Sequence, residues 1–156
     1  HIADRNKKGI VILVNKWDLL DKSTETAKKA EEQIKKKIAP FTDVPIVFVS
    51  ALEKRRLLKG LETAIQVHKN RTQKIATSVL NEVMLPLIGH HPPPATKGKY
   101  IQIKYCMQLP TETPTFVFFA NLPQYIKEPY MRYIENQLRE HFDFSGVPIQ
   151  IYFRKK

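Results

Sequence analysis

The sequence predicts an α/β unit followed by a smaller α+β unit, with the boundary near Arg71. In the first half, short apolar runs of strand length alternate with amphipathic helical patterns, which is typical of a parallel sheet covered by helices. In the second half, the predicted order changes to helix–strand–strand–helix–strand. A hydrophobic content of 42% is typical of a globular chain, and 156 residues suffice for one ordinary domain or two small ones. The change of pattern favours two, residues 1–70 and residues 71–156.

The elements of the first half follow from the spacing of apolar residues. Residues 9–14 and 45–49 are continuous apolar runs and are predicted to be buried strands. Residues 24–39 repeat alanine and isoleucine on one face of a helix, which should stop at Pro40. Residues 57–69 form a second predicted helix, whose apolar face consists of Leu57, Leu58, Leu61 and Ile65.

The elements of the second half are a helix over residues 72–88, strands over 99–107 and 115–120, a helix over 128–142 and a strand over 148–153. Alternation in the first of these strands places Ile101, Ile103 and Tyr105 on one face. The proline-rich stretch 89–98 is predicted to be a loop.

The charge and cysteine content restrict the classes of function. A formal net charge of +11 favours a polyanionic partner such as RNA or DNA, although solvated surface lysines explain it equally well. The single cysteine, Cys106, excludes an internal disulfide and fits a cytoplasmic setting. The longest apolar runs are shorter than a membrane span.

The tetrad Asn-Lys-Trp-Asp follows the first predicted strand directly and indicates recognition of guanine. Guanine presents adjacent N–H donors along one edge, so the carboxylate of Asp18 can accept two hydrogen bonds that adenine does not offer. The amide of Asn15 can contact the ring and tie neighbouring loops together. The stem of Lys16 can lie along the face of the base.

A second motif supports this interpretation. Ser50, Ala51 and Leu52 end the next predicted strand, where backbone N–H groups can meet the guanine carbonyl. The small side chains of Ser50 and Ala51 permit a close approach of the backbone. Trp17 fills the variable position of the tetrad and is predicted to have a packing role.

These motifs and their flanking segments resemble one family of bacterial ribosome-assembly GTPases, the Der (EngA) family. The resemblance covers essentially the whole chain, from NKWD and VSAL through TSVLNEVMLPLIGHHPPP to the terminal FDFSGVPIQIYFRKK. It implies that residues 1–70 are the last part of a Ras-like (P-loop GTPase) domain and that residues 71–156 are a KH-like αββαβ domain. It also implies a guanine-binding role for Asn15, Lys16, Asp18, Ser50, Ala51 and Leu52. The implied ligands are GTP and GDP, with Mg²⁺ in the complete protein, and the implied partners are the large ribosomal subunit, its rRNA and the upstream GTPase domains.

The remaining parts of a GTPase site are not found in these 156 residues. The five glycines do not provide the phosphate-loop pattern GxxxxGK[ST], and there is no Asp-x-x-Gly. We expect this machinery to lie upstream of His1, and we expect the chain alone to be inactive and to bind GTP weakly or not at all. The family fold also implies that residues 10–14 pair with a strand outside this chain, so one edge of the sheet should be unpaired.

The second half has no GxxG loop, the element with which KH domains usually hold single-stranded nucleic acid. RNA contact by other surfaces and a mainly protein-docking role therefore both stay open. The candidates for RNA or ribosome contact are Lys97, Lys99, Lys104, Arg154, Lys155 and Lys156, although a solvated tail is the favoured interpretation of the last three. The alternatives to the Der type are an Era-type GTPase with an RNA-binding KH domain, which needs GxxG, and a non-enzymatic RNA-binding or docking module.

Several other residues are expected to have structural roles. His90 and His91 lack neighbouring ligands that would complete a metal site, and Cys106 has no histidine partner for nucleophilic catalysis. The aromatic residues of the predicted sheet are expected to be mostly core, with a base-stacking platform as the alternative. These residues are Tyr100, Tyr105, Phe116, Phe118 and Phe119.

Overall fold

The computed structural model describes residues 2–19, 24–96 and 98–155. The chain divides into two compact units. Unit 1 consists of His1–Arg71 together with Ser145–Pro148, and unit 2 consists of Thr72–Phe144 and Ile149–Lys156. The main division falls after Arg71, and residues 145–148 belong to unit 1.

Unit 1 is built on two parallel strands, β1 (Ile12–Val14) and β2 (Ile46–Phe48), paired in the register Leu13 with Val47. Its helices are α1 (Ile2–Arg5), α2 (Thr24–Ile38) and α3 (Leu57–Thr72). In the described part of the chain, β1 has β2 as its only strand partner. The parallel pairing is as predicted, although each strand is shorter than the apolar run that contains it.

The segment Ser145–Pro148 is joined to unit 1 by hydrogen bonds. The carbonyl oxygen of Gly146 accepts a hydrogen bond from the N–H of Ile10 at 2.7 Å, and the N–H of Gly146 donates to the carbonyl of Asp43 at 2.8 Å. The backbone carbonyl of Ser145 also accepts a hydrogen bond from the side chain of the buried Asn70 at 3.1 Å. These contacts join the turn at residues 145–146 to the segments that precede β1 and β2.

The apolar face predicted for α3 is exposed. Leu57, Leu58, Leu61 and Ile65 are between 40% and 76% exposed, as is Leu13 on β1 at 52%. The helix packs on the sheet through Gly60, where an added Cβ would lie 3.1 Å from the Leu13 side chain. Two strands are too narrow to cover the rest of the helix face.

Unit 2 contains helices α4 (Thr77–His90) and α5 (Glu128–His141) and strands β3 (Ile103–Gln108), β4 (Thr115–Ala120) and β5 (Gln150–Lys155). The sheet order is β3-β4-β5, with β3 antiparallel and β5 parallel to β4. One face of the sheet packs with the helices around fully buried side chains that include Leu80, Met84, Phe116, Phe118, Ile134 and Leu138. The element order is the αββαβ order predicted from the sequence.

Two predictions about this unit were wrong in detail. Helix α4 begins at Thr77 rather than at residue 72, because the side chain of Gln108 binds the backbone before it: its Oε1 accepts from the N–H of Ile75 at 2.8 Å and its Nε2 donates to the carbonyl of Gln73 at 3.1 Å. Tyr105 does not share a face with Ile103, because a bulge between them shifts the register by one residue.

Candidate guanine-recognition site

The tetrad at residues 15–18 forms a tight turn at the carboxyl end of β1. The N–H of Val49 donates to the carbonyl of Val14 at 2.8 Å, and the N–H of Trp17 donates to the carbonyl of Val49 at 3.1 Å. Between them, Lys16 takes the left-handed conformation with φ of 60°. The turn is therefore fastened through its backbone to the end of β2.

The side chain of Trp17 also stabilises this turn, because it packs against the last residue of β2. Its ring lies 4.2 Å from the ring of Phe48, centroid to centroid, at an interplanar angle of 42°. Phe48 is buried, whereas Lys16 and Asn15 on the same turn are exposed. This contact agrees with the packing role predicted for Trp17 and leaves the polar side chains at the surface.

Asn15 joins the two predicted motifs directly. Its Oδ1 accepts a hydrogen bond from the backbone N–H of Ala51 at 3.0 Å, across 36 residues of sequence. The sequence motif NKxD and the Ser-Ala-Leu motif therefore lie side by side after neighbouring parallel strands. The carboxamide of Asn15 holds the loop with its oxygen and still has N–H donors for a ligand.

Ser50 gives the second loop its shape. Its side chain is buried, and its Oγ accepts a hydrogen bond from the N–H of Glu53 at 3.2 Å. Its backbone exchanges two hydrogen bonds with Arg55, at 3.2 and 2.9 Å. The loop closes on itself in this way and displays Ala51 and Leu52 at the surface, with Leu52 88% exposed.

Asp18 lies in a single 3₁₀ turn, Trp17–Leu19. In this turn the N–H of Leu19 donates a hydrogen bond to the carbonyl of Lys16 at 3.1 Å. The residue is half-buried, and its Oδ1 atom lies below the surface. A carboxylate in this setting is partly shielded from water, which strengthens the hydrogen bonds that it accepts.

The basic residues after this loop differ in their surroundings. Arg55 pairs with Glu53 at 2.9 Å, N to O, in addition to its backbone pairing with Ser50. Lys54 and Arg56 are exposed and have positive φ, at 54° and 56°. Arg55 is therefore a loop-closing residue, a role that sequence analysis missed, since nothing in the local sequence distinguishes it from its neighbours.

The lysine run of α2 has the predicted helical pairing. The ammonium of Lys35 lies 2.6 Å from the Glu31 carboxylate, one turn earlier, and both side chains are more than 40% exposed. Such a pair on a solvated face contributes little to stability and does not indicate a binding site.

The predicted RNA-contact residues that the structure describes all lie in unit 2. Lys99 places its ammonium 5.7 Å from the ring centroid of Tyr125. Lys104 is exposed at the bulge of β3, and Arg154 and Lys155 are exposed at the end of β5. Lys97 and Lys156 lie outside the described residues. Arg154 and Lys155 are thus part of a strand rather than a tail.

The histidines and the cysteine occupy structural positions. His90 is the last residue of α4 rather than part of a loop, and the carbonyl of His91 accepts a hydrogen bond from the hydroxyl of Tyr130 at 2.9 Å. Among residues 2–19, 24–96 and 98–155, no group of His, Cys, Asp and Glu side chains could hold a metal ion. Cys106 is fully buried, and burial raises the pKa of its thiol to about 12.

Asn81 is a second residue that sequence analysis missed. From α4 it pairs with both backbone groups of Cys106: its Oδ1 accepts from the N–H at 2.8 Å and its Nδ2 donates to the carbonyl at 2.7 Å. The carboxamide therefore satisfies an edge position of β3 as a neighbouring strand would.

In the described parts of the chain, no helix is long and apolar enough to span a membrane.

The fold and the site together define a class: a parallel-sheet unit with an NKxD turn, joined to a KH-like αββαβ unit. Residues 74–154 match the family model described as the KH-domain-like, C-terminal region of EngA bacterial GTPases. The chain therefore belongs to the EngA family.

Comparison with curated proteins gives the same relationship over more of the chain. The chain is similar over 99% of its length to proteins named GTPase Der from Flavobacterium johnsoniae (64% identical), Christiangramia forsetii (61%) and Porphyromonas gingivalis (58%). It spans 36% of the length of each of these relatives.

Proposed function

We propose that this chain supplies the guanine-recognition half of a GTPase that acts in assembly of the large ribosomal subunit. The observation that carries the proposal is the hydrogen bond from the Ala51 N–H to the Oδ1 of Asn15. It joins the NKxD turn to the Ser-Ala-Leu loop at the carboxyl ends of adjacent parallel strands, which is where ligands bind to α/β sheets.

Each residue of the site has a distinct proposed role. Asp18 accepts the two N–H groups of the guanine edge, and the partial burial of its carboxylate strengthens both hydrogen bonds. Asn15 contacts the ring while it holds the second loop. Lys16 is exposed and lays its stem along the face of the base. The backbone of residues 50–52 faces the guanine carbonyl.

In this proposal, GTP hydrolysis is carried out by a longer protein of which this chain is a part. The chain spans 36% of the length of its curated relative. The phosphate loop, the Mg²⁺ ligands and the groups that position water would come from outside these 156 residues, since the sequence contains no GxxxxGK[ST]. Nucleotide binding and hydrolysis would change how the domains dock, and with it the affinity for the ribosome in the bacterial cytoplasm. The KH-like unit would serve this docking, contact rRNA, or do both.

The pocket is tested with Asp18→Asn in the longer protein. The amide presents a donor to the guanine N–H groups, so two charge-assisted hydrogen bonds worth about 1.5–3 kcal/mol each are lost and GTP affinity falls roughly 10²- to 10⁴-fold. Affinity for xanthosine triphosphate should rise, because xanthine offers a carbonyl at that edge. The matched control is Asp143→Asn, an exposed carboxylate in unit 2. Unchanged GTP and xanthosine triphosphate turnover in Asp18→Asn would refute guanine recognition by this turn.

The proposal that the phosphate contacts come from outside this chain is tested with the 156-residue chain itself. Without phosphate contacts, isothermal calorimetry should detect weak GTP binding or none. A micromolar dissociation constant for this chain would mean that base recognition alone suffices, contrary to the proposal. Guanosine is the useful comparison, since the proposal predicts similar affinities for guanosine and GTP.

A further inference from the structure

The outer face of the unit 2 sheet carries a row of three side chains, Tyr105, Phe119 and Arg154. The strand register places Tyr105 opposite Phe119 and Phe119 opposite Arg154. The neighbouring positions along the strands, Cys106, Phe118 and Phe153, point into the core. Because successive strand residues alternate between faces, the row stands on the side of the sheet away from that core.

The two aromatic rings of the row are stacked on each other. Their centroids lie 4.4 Å apart at an interplanar angle of 15°. Both residues are half-buried, and Arg154 beside them is exposed. The next row of the same face contains Tyr152, which is 46% exposed. A stack of two rings beside an exposed guanidinium is an arrangement that a further base can extend.

Positive charge borders this surface on both edges of the sheet. The bulge after Ile103 places the exposed Lys104 next to Tyr105 on β3. On β5, the exposed Arg154 belongs to the row itself, whereas the next residue, Lys155, alternates to the other face of the sheet. In a chain with a net charge of +11, such a border is complementary to a phosphate backbone that runs along the row.

We propose that the row Tyr105–Phe119–Arg154 is a stacking platform for bases of single-stranded RNA, with Lys104 paired to its phosphates. Stacking on aromatic side chains and Arg planes is a common way of binding unpaired bases, and it needs no GxxG loop, which residues 71–156 lack. This inference rests on the RNA-contact part of the proposed function and gives it a location. If the row served the sheet alone, the cross-strand pair would contribute only about 0.2–1 kcal/mol to its stability.

The test uses fluorescence anisotropy with the 156-residue chain and a labelled single-stranded oligouridylate of about 12 nucleotides, within the usual site size. Phe119→Leu and Tyr105→Leu keep apolar volume but remove a stacking ring. Each should weaken binding roughly 5- to 150-fold with an unchanged salt dependence, because base stacking is worth about 1–3 kcal/mol. Tyr100→Leu is the matched control, since Tyr100 is 84% exposed and outside the row.

Loss of a phosphate contact changes the salt dependence of RNA binding, whereas loss of a stacking ring does not. Lys104→Gln should reduce the slope of log affinity against log salt by about 0.7, the loss of one phosphate contact to a single strand. If Phe119→Leu and Tyr105→Leu bind like wild type while Lys104→Gln shows this loss, RNA contact stands and the platform is refuted. Equal affinity for duplex RNA also refutes the platform. Absence of binding to any RNA refutes both, and leaves guanine recognition to the Asp18→Asn test.

A measurement on the unaltered chain guards against variants that fail to fold. Ultraviolet cross-linking with 4-thiouridine oligonucleotides, mapped by mass spectrometry, should modify Tyr105 or Phe119. Cross-links confined to residues far from the row, such as those in unit 1, would overturn the proposal.

Discussion

Replacement of Gly146 by alanine should destabilise unit 1, although residue 146 is far from its other residues in sequence. Gly146 has φ of +75°, where alanine costs roughly 1–2 kcal/mol. A Cβ atom there would lie 2.6 Å from Cγ2 of Val67 and 2.7 Å from the carbonyl oxygen of Ile10. Overpacking against a fixed backbone atom adds about 1–3 kcal/mol. We therefore expect the free energy of unfolding of unit 1 to fall by about 2–5 kcal/mol.

The chain carries a separate spectroscopic probe in each unit. Trp17 is the one tryptophan and lies in unit 1, whereas all six tyrosines lie in unit 2. Urea unfolding followed by tryptophan emission reports unit 1, and near-ultraviolet circular dichroism of tyrosine reports unit 2. With slopes of about 1–3 kcal/mol per molar urea, the midpoint of the tryptophan transition should fall by about 1–2 M or more.

Gly98→Ala is the matched control for backbone strain. Gly98 has φ of +70°, but a Cβ atom there would meet nothing within 4 Å. It should therefore cost only the left-handed strain, and only in the tyrosine transition of unit 2. The reasoning is refuted if Gly146→Ala leaves the tryptophan transition where it is, or shifts it no more than Gly98→Ala shifts the tyrosine transition.

Two further predictions concern unit 2. Asn81→Ala removes the carboxamide that binds both backbone groups of Cys106, so the free energy of unfolding of unit 2, followed by the tyrosine signal, should fall by about 2–4 kcal/mol. The exposed helical control Asn136→Ala should cost less than about 0.5 kcal/mol. Equal losses in the two variants would contradict a stabilising role for the hydrogen bonds between Asn81 and Cys106. Burial raises the pKa of the Cys106 thiol from 9.0 to about 12, and burial followed by the charge of Tyr133 raises the pKa of Tyr130. Because the unfolded chain releases these protons first, these two groups should leave the stability of unit 2 unchanged below about pH 9 and lower it between about pH 9 and 12. A thiol reagent at neutral pH should react with Cys106 only after denaturation. A flat stability profile up to pH 12, or rapid labelling of the native chain, would show that the thiol is accessible.

Local sequence was sufficient for the features that depend on periodicity. The apolar runs, the helical spacing of α2 and α5 and the αββαβ order could all be predicted, because a buried face imposes its period on the sequence. The adjacency of Asn15 and Ala51 was also predictable, since polar residues after consecutive parallel strands meet at one edge of the sheet.

The differences arise where one side chain binds distant backbone. Gln108 holds residues 73–75 out of α4, and a single bulged residue moves Tyr105 to the other face of the sheet. Neither event changes the apolar pattern of the segment concerned. Residues 145–148 were assigned to the second domain by continuity of the chain, whereas their hydrogen bonds are to Ile10, Asp43 and Asn70.

The place of Gly146 in unit 1 has a consequence for biosynthesis. The first unit cannot form all of its hydrogen bonds when Arg71 leaves the ribosome, because Gly146 is still to be translated. At about 5–20 residues per second, the intervening residues 72–144 take several seconds to make. The hydrogen bonds that join Gly146 to Ile10 and Asp43 therefore form only after residues 72–144 have been translated.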